Sequence, residues 1–127
     1  MKFTGVLLKP LDQQGDRDGM KIDPAGVVFG PNPVPIWQNF GYRIPEDMVG
    51  WGTVSKAEDG SLIVTGELDH WSTTMLAPKL AIGVMGEDIV RKGNEAKDTI
   101  IRKSSLMAVA VTVEHQDPTQ PPIDIIP

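Results

Sequence analysis

The sequence contains no cysteine, only two histidines and few aromatic residues (6%). Without cysteine there is no disulfide framework, no thiolate metal site and no cysteine nucleophile, and the redox compartment is left open. His70 and His115 are too few to build a zinc site unaided, and no neighbouring feature marks either as a general base. Positive charge is also scarce. Twelve Lys and Arg against 17 Asp and Glu leave a net charge of -5, whereas binding to nucleic acid calls for clustered cations. No apolar run approaches the roughly 18–20 residues of a membrane span, and the opening Met1-Lys2-Phe3-Thr4-Gly5 lacks the apolar centre of a signal peptide. Also missing are a Gly-x-Ser-x-Gly elbow, a phosphate loop and a dinucleotide fingerprint. Asp12, Asp16, Asp18 and Asp23 fail the EF-hand spacing and read as an ordinary Asp-Gly turn. The expectation is a soluble acidic chain with no cofactor, no metal, and neither nucleic acid nor membrane as a partner.

What is abundant is glycine and proline: 13 and 11 among 127 residues, against average usage of about 7% and about 5%. Such punctuation argues against a helical bundle and for a turn-rich β domain, and the length suits one domain of roughly 100–150 residues. Lys2 to Leu8 reads as a strand, followed by an Asp/Gly turn; Met20 to Ile22, Ala25 to Phe29 and Val34 to Gln38 read as further extended pieces. Gly50 to Lys56 and Ser61 to Leu68 flank Ala57-Glu58-Asp59-Gly60, a hairpin signal. Asp69 to Ala77 has the composition of one or two helical turns ending before Pro78. Leu80 to Met85 is a short strand, and a charged insertion from Gly86 to Lys103 suggests a solvated hairpin around Ile89-Val90 and Thr99-Ile100-Ile101. Leu106 to Val113 alternates Met107, Val109, Val111 and Val113 with smaller residues, at the two-residue period of a strand.

Beyond Val113, four prolines in a short stretch predict an extended arm rather than packed core. Residues 1–113 are thus expected to form the domain and residues 114–127 the arm, whose Ile123, Ile125 and Ile126 would be poorly placed in water. Trp37 and Trp51 read as buried sheet tryptophans. Trp71, in a polar stretch beside His70, reads as exposed. Met20, Met48, Met75, Met85 and Met107 read as core or interface filler.

The order of these segments resembles the prohead maturation proteases of tailed phages, which share a β-barrel fold with the herpesvirus assemblins. An opening strand is followed by Gly15-Asp16-Arg17-Asp18-Gly19 and Pro24-Ala25-Gly26, then by Val34-Pro35-Ile36-Trp37-Gln38-Asn39, where the family has Val-Pro-apolar-Trp-Gln-His. The hairpin Gly50-Trp51-Gly52-Thr53-Val54 with Ser61 to Leu68 comes next. Leu80-Ala81-Ile82-Gly83-Val84 stands beside the family's Leu-Ser-Ile-Gly-apolar strand, and Leu106 to Thr112 beside its Leu-x-Glu-Val-Ser-apolar-Val-Thr strand. The likeness spans residues 3–113. It implies a small closed or partly open β-barrel of about 6–8 strands, with one or two short helical turns and the Pro-rich arm.

The departures fall on the chemistry. Asn39 occupies the position that resembles the family's histidine base, Ala81 the serine position and Ala108 the acidic position. A serine hydrolase needs a hydroxyl to attack and a base to take its proton, and neither a methyl group nor an amide supplies them. The short segment Asp69 to Lys79 also stands where the family carries a longer helical stretch that helps form its dimer. The resemblance therefore implies a capsid decoration or cement protein on an inactive protease-like fold. Its partner would be the major capsid protein or neighbouring copies of itself, in a possible homo-oligomer. It would reside on the virion capsid surface after assembly in the host cytoplasm, docking through Trp71, Pro121, Pro122, Ile123, Ile125 and Ile126. The alternatives are a pseudoprotease assembly factor that pairs with scaffold or active protease, and an active hydrolase using Ser72 with His70.

Overall fold

The computed structural model describes residues 1–14, 21–38, 45–69, 77–91, 93–94, 99–113, 115, 117 and 119–126. Among the described residues nine strands form one sheet: β1 (Lys2–Leu8), β2 (Lys21–Ile22), β3 (Val27–Val28), β4 (Val34–Gln38), β5 (Met48–Lys56), β6 (Leu62–Leu68), β7 (Lys79–Arg91), β8 (Thr99–Thr112) and β9 (Asp124–Ile126). The chain is mainly β, as the glycine and proline content implies. The described helical structure consists of three 3-10 turns, Leu11–Gln13, Pro24–Gly26 and Pro45–Asp47. The helical turns expected over Asp69 to Ala77 fall mostly outside the described residues.

The six longer strands follow one another in the hydrogen-bonded order β7, β8, β4, β5, β6, β1. β1 then returns beside β7, but no ladder joins them, so the barrel-like sheet is not closed. Inside it pack Phe3, Leu7, Ile36, Val54, Leu62, Val64, Leu80, Val109 and Val111, all nearly or wholly buried. Burying each such side chain contributes about 1.5–3 kcal/mol.

The expected β5–β6 hairpin is present. Ala57 N–H donates to the Ser61 carbonyl (2.8 Å), Gly60 N–H donates to the Ala57 carbonyl (3.0 Å), and Gly60 takes a φ of +94° that suits glycine. Asp59 accepts from Ser61 N–H at 2.9 Å. That bond holds its carboxyl below the ordinary 3.8, so the cap acts above the usual carboxylate range and is lost as pH falls through the lowered value.

One edge of β8 is shared by three consecutive pieces of the chain, because residues 21–38 run parallel to it in steps. β2 pairs at Ile100–Ile101, β3 at Ser104–Ser105 and β4 at Val109–Val111. Side chains stand in for backbone where the steps break. The Gln14 amide donates to the Lys9 and Ile22 carbonyls (3.0 and 2.6 Å) and its oxygen accepts from Ile22 N–H (3.2 Å). Asn32 brackets Val54 in the same manner, at 3.1 and 3.0 Å. Pro35 lies one residue before the β4–β8 ladder begins, so its missing N–H costs that ladder nothing. The charged insertion is the outer half of the long β7–β8 ribbon, with Ile89 opposite Ile101 and Val90 opposite Ile100.

The end of the chain corrects an expectation. It is extended, but its described part is not held apart from the core: Ile123 is only 8% exposed and belongs to the core cluster. It sits in the seam between β1 and β7, where a Cβ added at Gly5 would lie 2.9 Å from both Ile123 Cγ2 and Leu80 Cδ1. The Gln120 amide spans the seam, donating to the Val6 carbonyl at 2.7 Å and the Leu80 carbonyl at 3.3 Å. Ile123 N–H donates to the Pro78 carbonyl (2.9 Å), and β9 adds antiparallel to β1. Buried Asp117 pairs with Lys9 at 3.1 Å and accepts from the N–H and hydroxyl of Thr119. The physical reason is that an unjoined barrel seam exposes a strand edge and an apolar slot: β9 pairs with the β1 edge, and Ile123 fills the slot.

Candidate functional site

Alternation along β7 and β8 decides where the positions of chemical interest point. Leu80, Val109 and Val111 belong to the core, so Ala81, Ala108 and Ala110 face the opposite side of the sheet. Ala81 is register-paired with Ala110, and Gly83 with Ala108. Directly opposed residues share a face, which makes Ala81 and Ala108 diagonal neighbours, a relation that spans roughly 7–8 Å. Trp37 pairs with Ala110 on the other side of β8 and is half-buried. The pairing ends with Gln38 opposite Val111, and Asn39 lies outside the described residues. Ala81, Gly83, Ala108 and Ala110 offer this face only methyl groups and hydrogens, and the three alanines are buried; the same register sets Lys79 opposite Thr112 two residues further along it.

Other candidates are occupied or undescribed. His70, Trp71 and Ser72 lie outside the described residues, as do Asp16, Asp18, Met20 and Met75. His115 Nδ1 accepts from Asp117 N–H at 2.9 Å, which ties it into the turn before the tail. Asp23 caps the second 3-10 turn by accepting from Ala25 N–H (3.0 Å). Among the described residues no group of three His, Asp or Glu is arranged to hold a metal ion, and no helix is long and apolar enough to cross a membrane.

The described tail residues divide by exposure. Ile123 is buried and not open to a partner while the tail is docked, whereas Pro121, Pro122, Ile125 and Ile126 are exposed. Met85 and Met107 are also exposed, on the β7–β8 ribbon, so neither fills the core.

Trp51 is a second correction: it is 44% exposed rather than buried. In β5 the inward positions are Gly50, Gly52 and Val54, which leaves Trp51, Thr53 and Ser55 facing out. The inward glycines are required by close approach. A Cβ at Gly52 would lie 2.5 Å from Val64 Cγ1, and one at Gly50 would lie 2.1 Å from the Glu67 carbonyl oxygen. Trp51 lines a shallow surface groove of about 220 Å³ with Pro33, Thr53, Thr65, Glu67 and Asp69. Sequence reasoning missed this groove because a large apolar residue between two small ones looks like the buried partner of the three.

Comparisons with protein-family models, curated proteins and solved structures found no match to this chain.

Proposed function

We propose that this chain is a capsid structural protein of the decoration or cement type, built on an inactive relative of the prohead protease fold. The observation that carries the reading is the alanine-lined face of β7–β8 turned away from Leu80, Val109 and Val111, where Ala81, Ala108 and Ala110 are themselves buried. There the positions that resemble the family's nucleophile and acid are diagonal neighbours, and both bear methyl groups. Two of the three positions thus lie side by side, as the remains of a catalytic site would, and Asn39, the third, lies outside the described residues.

Docking is assigned to the edge formed by β9. Ile125 and Ile126 stand 47% and 39% exposed there, on the strand that ends the sheet. An exposed edge with apolar side chains is suited to strand addition by a neighbouring subunit. The partner is the major capsid protein or another copy of this chain.

The test is co-sedimentation of the Ile125→Asp/Ile126→Asp variant with assembled capsids. Deleting the whole tail would be uninformative, because Ile123 fills the seam and its loss would destabilise the domain. The double variant is expected to keep the parent's Tm within a few degrees and to lose at least tenfold in capsid affinity. Parental affinity in a folded variant would remove the β9 edge from the docking surface.

A further inference from the structure

The groove around Trp51 has a chemistry that the docking edge does not share. Register sets Trp51 beside Glu67, and Thr53 beside Thr65, across β5–β6, so indole, carboxylate and hydroxyls line one outward face of the sheet. Asp69, immediately past the end of β6, adds a second carboxylate to the wall. Both carboxylates are exposed, and among the described residues neither has an ion pair. Lys2 is register-paired with Glu67 across β6–β1 but makes no ion pair with it. The groove is therefore an indole face with two carboxylates that make no ion pair among the described residues, Lys2 being the cation set opposite Glu67 by register, on a chain whose net charge is -5.

We infer that this groove receives a Lys or Arg side chain from an extended basic segment of a partner protein, with the cation over Trp51 and with Glu67 and Asp69 as counter-charges. A cation within about 6 Å of an indole centroid is attracted by the ring's quadrupole, and tryptophan is the strongest of the aromatic partners. Arginine fits best, since its planar guanidinium can stack on the indole while its N–H groups reach a carboxylate. Pro33 walls the other side and offers the aliphatic stem of the incoming side chain an apolar contact. Charge complementarity favours this occupant over a neutral glycan, which would also stack on a tryptophan and donate hydroxyl hydrogen bonds to the carboxylates but would neutralise neither charge. The inference is independent of the capsid reading, because it rests on the groove alone.

The experiment is a titration of the full chain, followed by amide and indole NMR shifts and by calorimetry. The ligands are hexa-arginine, hexa-glutamate and a neutral oligosaccharide, xylohexaose. Hexa-arginine is expected to move the Trp51 indole resonance and the amides of Thr53, Thr65 and Glu67, and to bind at least tenfold more weakly in 0.5 M salt. Trp51→Ala should weaken binding at least tenfold. Glu67→Gln/Asp69→Asn, which changes only exposed side chains and keeps the fold, should weaken it at least fivefold. The inference is overturned if hexa-arginine leaves these resonances unmoved, if both variants bind it as the parent does, or if xylohexaose occupies the groove and hexa-arginine does not.

Discussion

At Gly26 the chain passes so close to β8 that an added Cβ would sit 1.7 Å from the Arg102 carbonyl oxygen. No side-chain rearrangement relieves a collision with backbone, so Gly26→Ala must push the second 3-10 turn away and weaken the parallel β3–β8 pairing. The expected loss is about 3 kcal/mol, at the upper end of overpacking costs, measured by denaturant unfolding. A loss under about 0.5 kcal/mol, the range of neutral surface changes, would show that the approach is looser than described. Gly26 was visible in the sequence only as half of a Pro-Ala-Gly turn signal. What requires it is a partner 76 positions away, which no local rule reports. Trp51 was misjudged for the related reason that β5 hides glycines at its inward positions, and outward bulk then looks like core. By contrast Asp59-Gly60 was fully legible, because a hairpin turn is specified by its own residues.

Among the elements, the tail carries the sharpest difference between sequence and structure. Its prolines correctly indicate extended backbone, and its isoleucines correctly indicate a need for cover. Neither reveals that the cover for Ile123 is the chain's own seam, since that slot exists only after β1 and β7 have come together. Ile123→Ala is expected to cost about 2–5 kcal/mol, the range for truncating a buried aliphatic side chain, with a matching fall in Tm. A variant as stable as the parent would mean that the tail rests on the surface without plugging the seam. The β7–β8 ribbon was read as two pieces for a different reason. Register shifts between Gly83 and Val84, and on both sides of Asp88, break the two-residue period, and the exposed charges Glu87, Asp88, Arg102 and Lys103 look like a loop.

At the scale of the whole molecule, a mainly β fold followed from composition and turn spacing, and the order of the long strands explains why. Local hairpins, β5–β6 and β7–β8, are set by neighbours in sequence, while the parallel pairing of residues 21–38 along β8 depends on tertiary contact. The candidate site was legible in part. Ala81 and Ala108 stood out only through a family pattern, and the sheet register brings them onto one face; the Trp51 groove had no signal beyond the Gly-Trp-Gly run. The proposed role of the molecule is tested most directly by quantitative mass analysis of purified mature particles from the system that encodes this chain. A decoration protein is expected there intact and in numbers comparable to the major capsid protein. Its absence from mature particles, with presence only in assembly intermediates, would contradict that role and favour a pseudoprotease assembly factor.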